Sequence, residues 1–204
     1  MSKKTEHIYL PLPRSFYERT PVQLARKLIG TLLIRIIDNR SLIARIVEVE
    51  AYGGADDPAS HAYRGITERN KVMFNSGGYS YVYFTYGMHY CFNVVAGKGK
   101  RAGAVLIRAA EPIEGIDIMQ RNRSKENLRD LLSGPAKLCQ AFSIDKSFNG
   151  IPLDTPSLYL SKNTELKTQK IKTTSRIGIR EALDKKWRFL DPENEFVSVG
   201  VKSS

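Results

Sequence analysis

Two runs in the first quarter of the chain, TLLIRIID (31–38) and SLIARIVEVEAY (41–52), constrain the fold most strongly. Both are rich in β-branched residues, and the Asp38-Asn39 pair between them tolerates the positive φ of a tight turn. They predict neighbouring antiparallel strands, and so a sheet at the centre of the fold. In the second run Glu48, Glu50 and Tyr52 fall at alternate positions and share one face, while Val47, Val49 and Ala51 point the other way. Alternation alone assigns the carboxylate face to solvent. A strand that presents two carboxylates and a tyrosine on one side also offers a chemical surface, and both readings stand at this point.

The rest of the chain fills in around that hairpin. Thr20-Pro21 before VQLARKLIG reads as a short helix, with Thr20 as its cap, Leu24 and Leu28 on one face, and Gly30 at its end. Residues 53–78 are poor in strand signals and rich in Gly, Asp, Asn and Ser, which predicts a long ordered loop of the kind that often carries function. YSYVYFTYGMHYCFNVVA reads as two strands around a turn at Tyr86-Gly87, and RAGAVLIRAAEP as a further strand ended by Pro112. Residues 113–145 read as helical, with Gly134-Pro135 opening a second segment, and 161–175 as a solvated connection. SRIGIR, WRFL and EFVSVG read as short strands. No internal repeat or domain boundary interrupts 1–204. The expectation is a single mixed α/β (α+β) domain, with a curved, largely antiparallel β-sheet, flanking helices and a protruding β-hairpin.

Composition narrows the class of protein. The chain has 204 residues, 42% of them hydrophobic, enough to bury a substantial core. No apolar run approaches the roughly 20 residues of a membrane-spanning helix. The N-terminal MSKKTEHIYLPLP has no apolar stretch behind its lysines and does not read as a signal peptide. Two cysteines, Cys91 and Cys139, fit a reducing cytosol and sit among apolar neighbours, which predicts buried packing. Lys and Arg number 32 against 21 Asp and Glu, a net charge of +11. Polyanions are the natural partners of such a chain, because neutralised phosphates release counterions. A solvated basic surface with no partner is the alternative.

Several residues could carry chemistry. Asp56, Asp57, His61 and His89, with the glutamates, could be imagined as a metal site, but they lack a recognisable ligand spacing, so no metal is expected. Five tyrosines (Tyr79, Tyr81, Tyr83, Tyr86 and Tyr90) crowd one hairpin. Cross-strand packing accounts for most of them. Tyr86 falls at the tip, where the core is least available, and a tip aromatic in a basic protein also suits stacking between bases. Gly-rich phosphate loops and a G-x-S-x-G elbow are absent from the sequence.

Taken together, RIVEVEAYGG, ASHAYRGITERNKVMF, YVYFTYGMHYCFNVV, VLIRAAEPIEG and SGPAKLCQA resemble, in order and spacing, the alkyladenine (3-methyladenine) DNA glycosylase family. The resemblance runs from about Leu10 to Val199 and is confined to the family's catalytic domain, without the N-terminal extension of some members. It implies hydrolysis of the N-glycosidic bond of damaged purines in double-stranded DNA, without cofactor or metal, by a monomer in the cytoplasm. By motif, Glu50 matches the general base and Arg108 the arginine that helps hold the attacking water. Tyr52 and His61 match one wall of the base pocket, Tyr83 the stacking residue opposite, and Asn93 the residue beside the flipped base. Tyr86 matches the intercalating tyrosine, while Thr67, Arg69 and Lys137 lie in phosphate-contacting blocks. Glu68 departs from the pattern, standing where a proline or basic residue is expected, and an acid there weakens the case for Thr67 and Arg69. No lysine replaces the carboxylate, which implies a monofunctional hydrolase without Schiff-base chemistry. Two rivals remain, a non-catalytic module that binds distorted DNA and a metal-dependent nuclease built on Glu50, Asp56 and His61.

Overall fold

The structure, a computed structural model of the chain, describes residues 9–164 and 170–198. The N-terminal reading and parts of the 161–175 and EFVSVG readings therefore lie outside the described residues. Four strands build the central antiparallel sheet: β1 (Leu32–Ile37), β2 (Arg40–Tyr52), β4 (His89–Val95) and β5 (Ala104–Glu114). With β3 (Ser80–Thr85), β6 (Asp154–Thr155) and β7 (Leu158–Ser161) they run in the order β3-β4-β5-β2-β1-β7-β6. Two short strands, β8 (Lys172–Thr174) and β9 (Arg188–Leu190), complete nine strands, with β9 pairing to β2 and β8 to β9. Thus β5 holds one side of β2 along its length. On the other side β1 takes residues 40–45 and β9 takes residues 48–50. The sheet curls into a half-barrel of mixed α/β class.

Local chemistry explains most elements. Asp38 and Asn39 adopt φ of 48° and 60°, the turn that antiparallel pairing of Ile37 with Arg40 requires. Helix α2 (Pro21–Leu28) follows α1 (Arg14–Tyr17) and opens with a complete capping box. The Thr20 side chain accepts from the Gln23 N–H, and the Gln23 side chain accepts from the Thr20 N–H. Leu24, Ala25 and Leu28 then enter a large core with Leu42, Ala44, Ile46, Phe92 and Phe142. The helical reading of 113–145 resolves into α3 (Ile116–Arg123), a 3-10 turn at 128–130 and α4 (Pro135–Ala141). Strand β5 passes Pro112 and continues to Glu114, because the proline sits at a register shift against β2.

The register of β2 differs from simple alternation. Ile46 pairs with Ala110, Glu48 with Ala109 and Val49 with Ile107, so Val47 on β2 and Arg108 on β5 are extra residues at bulges. Leu42, Ala44 and Ile46 face the main core at even positions, whereas past the bulge Val49 and Ala51 face it at odd ones. Val47 leaves the face of Val49 and Ala51 and packs with Ala109 and Phe196. Had the alternation run on without a bulge, Glu48 and Glu50 would have pointed into the apolar core. Solvent does not receive them either: both are fully buried. The C-terminal segment lies over their face, so alternation within one strand could not have revealed the burial.

Candidate active site

Glu48 and Glu50 stand two residues apart on β2, and their surroundings separate their capacities. Glu48 Oε1 accepts from Arg108 Nε at 2.8 Å, Arg188 Nε at 2.7 Å and Ser198 Oγ at 2.9 Å. Its Oε2 accepts from the Ser198 N–H at 2.7 Å. A carboxylate offers about four lone-pair sites, and Glu48 meets four donors, three of them crowded on Oε1. Glu50 Oε1 accepts from the Ile177 N–H at 2.7 Å, and its Oε2 from the Tyr52 hydroxyl at 2.8 Å. Arg108 Nη1 approaches the same Oε2 at 3.3 Å. Glu50 thus meets one donor fewer than Glu48 and, with a single donor on Oε1, keeps about one site there for a further donor.

Arg108 joins the two. As the bulged residue of β5, its side chain is aimed along the carboxylate face and touches both glutamates. Burial works against its charge, but Glu50 and Glu48 outweigh that and hold its pKa above the ordinary guanidinium value. Among the described residues the buried charged side chains are Glu48, Glu50, Asp57, Arg108, Arg176 and Arg188, three of each sign. The cluster is neutral overall, as charges removed from water must be.

In front of it lies a cavity of about 260 Å³ lined in part by Tyr52, His61, Tyr83, Tyr86, Asn93 and Arg108, which the sequence had singled out. Glu50 sits behind this wall, with Tyr52, Arg108 and Ile177 between it and the space. The lining is uncharged apart from Arg108. Burial, and then Glu50, push the Tyr52 phenol far above its usual range. Burial likewise raises Tyr83, and moves Tyr81 up to about 12. His61 keeps an exposed edge, yet desolvation and then the nearby Arg69 lower its pKa below 6.5. Its Nδ1 lies 2.9 Å from the Tyr81 hydroxyl. His61 does not face Tyr83 across an open slot: the two rings meet edge to face with centroids 4.6 Å apart. A flat ring stacked between them would need about 7 Å, twice an aromatic contact distance.

Asn93 is buried on β4, and its Nδ2 donates to the Tyr81 carbonyl at 2.9 Å. Tyr86 stands at the hairpin tip, 86% exposed, with φ of 51° beside Gly87 at 68°. Left-handed backbone costs a non-glycine residue roughly 1–2 kcal/mol, and here no packing of the ring offsets it. The three remaining residues do not line the cavity. Arg69 is exposed, donates to the Phe84 carbonyl and lies 5.4 Å from the centre of the Tyr83 ring. Thr67 closes a turn with Asn70. Lys137 on α4 bonds Ser133 at 3.0 Å and lies 3.5 Å from Asp130. Glu68 pairs with Lys71 at the surface.

Sequence reasoning missed the C-terminal contribution. SRIGIR and the described part of EFVSVG, residues 195–198, do not form strands. They spend the Ile177 N–H on Glu50 and the Ser198 N–H on Glu48. Arginines embedded in apolar runs, Arg176 in SRIGI and Arg188 in WRFL, were the available signal, since a buried guanidinium demands a buried partner. A backbone N–H donor leaves no signature in sequence.

An aromatic-walled cavity backed by a buried carboxylate–arginine pair defines the class of site. The comparisons give the class its family. A family description, methylpurine-DNA glycosylase (MPG), matches residues 15–195. A Carboxydothermus hydrogenoformans protein named "Putative 3-methyladenine DNA glycosylase" is 50% identical over 188 residues, covering 92% of this chain and 98% of its own. Proteins of the same name from Natranaerobius thermophilus and Francisella tularensis are 45% and 50% identical, covering 93% and 87% of this chain and 100% and 93% of their own. The chain belongs to the methylpurine-DNA glycosylase family. It is a DNA glycosylase of the 3-methyladenine type, a DNA-repair protein that acts on alkylated bases. Among the described residues, no helix is long and apolar enough to cross a membrane.

Proposed function

We propose that the protein is a monomeric, monofunctional hydrolase that flips alkylated or deaminated purines (3-methyladenine, 7-methylguanine, hypoxanthine, ethenoadenine) out of duplex DNA and leaves an abasic site. The observation that carries this reading is the contrast between Glu48, held by two guanidinium nitrogens and two Ser198 donors, and the less encumbered Glu50 behind the same aromatic cavity. Glu50 takes a proton from water while Arg108 helps hold that water. The water oxygen bonds to C1′, the C1′–N9 bond breaks, and its electron pair stays on the purine. 3-Methyladenine and 7-methylguanine are cationic in DNA and leave neutral, so they need no acid, whereas hypoxanthine and ethenoadenine are neutral and take a proton from solvent as they leave. Extrusion is required because a base inside the duplex is shielded from attack. Tyr52, Tyr83 and His61 receive the base, with Asn93 beside it and the His61–Tyr83 contact opening as it enters. Tyr86 fills the gap left in the stack, and Thr67, Arg69 and Lys137 contact phosphates. No metal or cofactor takes part in these steps.

Strand analysis tests the reaction class. On a duplex with one 7-methylguanine, the product strand is expected to stay intact until alkali is added, and borohydride to trap no protein–DNA adduct. Strand cleavage without base loss would instead support the nuclease rival.

Two further results are expected. Tyr86→Gly relieves the left-handed strain, so the variant should be at least as stable as wild type in denaturant titration. It should bind a lesion duplex about tenfold or more weakly, in line with roughly 1–3 kcal/mol per stacked ring, and cleave a single-stranded lesion substrate with little loss. Equal losses on both substrates would make Tyr86 a packing residue. The second concerns pH. The lowered pKa of His61 means that it is neutral at pH 7 and becomes charged only as the pH falls below 6.5. Affinity for a cationic 7-methylguanine duplex should therefore drop on that acid side, and His61→Gln should flatten the drop. A hypoxanthine duplex, neutral at its lesion, should show much less of it.

A further inference from the structure

Both hydrogen-bond donors to Glu50 adjoin a single buried ion pair that the reaction does not use. Arg176 Nη1 donates to Asp57 Oδ2 at 2.7 Å and Nη2 to Asp57 Oδ1 at 2.8 Å, with both side chains fully buried. Nη1 also donates to the Ala51 carbonyl at 3.0 Å, one residue past Glu50 on β2. The guanidinium lies 4.7 Å from the centre of the Tyr52 ring and 5.3 Å from that of Trp187, and the Trp187 carbonyl accepts from the Ala51 N–H at 2.8 Å. Asp57 accepts in addition from the Gly53 N–H at 2.9 Å, fastening the start of the long loop to the end of β2. The residue after Arg176 is Ile177, whose N–H meets Glu50 Oε1.

We infer that Arg176, clamped by Asp57, is a positioning residue for the general base, setting Ile177 N–H and the Tyr52 hydroxyl so that Glu50 keeps its one open site toward the attacking water. The inference rests on the reading of Glu50 as the base. The fork-to-carboxylate geometry fixes the guanidinium plane, and a lysine, with one nitrogen, cannot reproduce the two-nitrogen pairing to both Asp57 oxygens. The C-terminal segment reaches β2 from 125 residues away, so its placement against Glu50 needs a specific fastening. Displacement of a catalytic group by about 1 Å costs on the order of 100-fold in rate, and the pair prevents that displacement without touching the base.

The test is single-turnover excision of 7-methylguanine from a duplex by the full chain, with lesion-duplex affinity measured in parallel. Arg176→Lys keeps the charge but not the fork. The double variant Arg176→Met with Asp57→Asn removes both charges together, so no buried ion is left unpaired. Both are expected to bind the lesion duplex within about threefold of wild type and to excise about 100-fold more slowly, with the rate constant falling rather than the active fraction. Should the double variant fail to fold, Arg176→Lys carries the comparison alone. A wild-type rate constant with only a smaller active fraction would overturn the inference, since the pair would then serve stability alone. Wild type and Glu50→Gln run beside them: if the first excises and the second does not, the base assignment holds whatever Arg176 does. Absence of release by wild type would overturn the assignment and the positioning role together.

Discussion

Glu50→Gln is expected to abolish base release, by about 10²- to 10⁴-fold, the usual contribution of a general base, while lesion-duplex binding stays near wild type. The substitution preserves shape, and the amide oxygen can still accept from the Ile177 N–H. What it loses is the acceptor toward water. The side-chain amide NH2 would also face Arg108 Nη1, which can only donate, and the Tyr52 hydroxyl, which would have to turn to accept. One buried guanidinium charge is then uncompensated, so a modest fall in stability accompanies the loss of chemistry. Binding by gel shift and release by chromatography separate these effects. Normal turnover by the folded variant would show that another group activates water.

The largest effect on stability is expected for Glu48→Ala. Glu48 is the shared partner of Arg108, Arg188 and Ser198, and all three lie against it with no exposure of its own. Its removal leaves two guanidiniums buried with too few anions, the situation in which breaking a buried pair costs about 3–5 kcal/mol. For a domain of this size that is a fall of roughly 6–20 °C in Tm. Arg108 also loses the contact to its Nε, so excision should fall even at temperatures where the variant is folded. Denaturant unfolding checks the first claim and single-turnover rates the second. A loss under about 1 kcal/mol would mean that water enters and solvates the arginines.

The sequence revealed what is encoded locally. Asp38-Asn39 and Gly87 marked their turns because positive φ favours particular residues there, although Tyr86 beside Gly87 adopts it under strain. Thr20, with Pro21 behind it, marked the start of α2 through a cap chemistry that spans only a few residues. The cavity residues were legible only through resemblance, because their convergence depends on β2, β3, β4, β5 and the 53–78 loop meeting in space. Least legible was the burial of Glu48 and Glu50. Two features produce it, and neither is local. The bulge at Val47 switches the facing of β2 midway, so a strict period-2 reading fails halfway along the strand. The covering segment arrives from up to 150 residues downstream, and its backbone N–H groups satisfy the carboxylates instead of a strand ladder. SRIGIR and EFVSVG looked like strands because their apolar residues do alternate, but alternation records burial and does not name the hydrogen-bond partner.

Released base, followed by chromatography from a methylated duplex in the presence of EDTA, tests the central claim most directly. The account predicts that free 3-methyladenine appears with wild type and not with Glu50→Gln, although both proteins bind the duplex. Equal release by both would contradict the role of Glu50. Tight binding by wild type with no base released would make the protein a sensor of damaged DNA rather than its hydrolase.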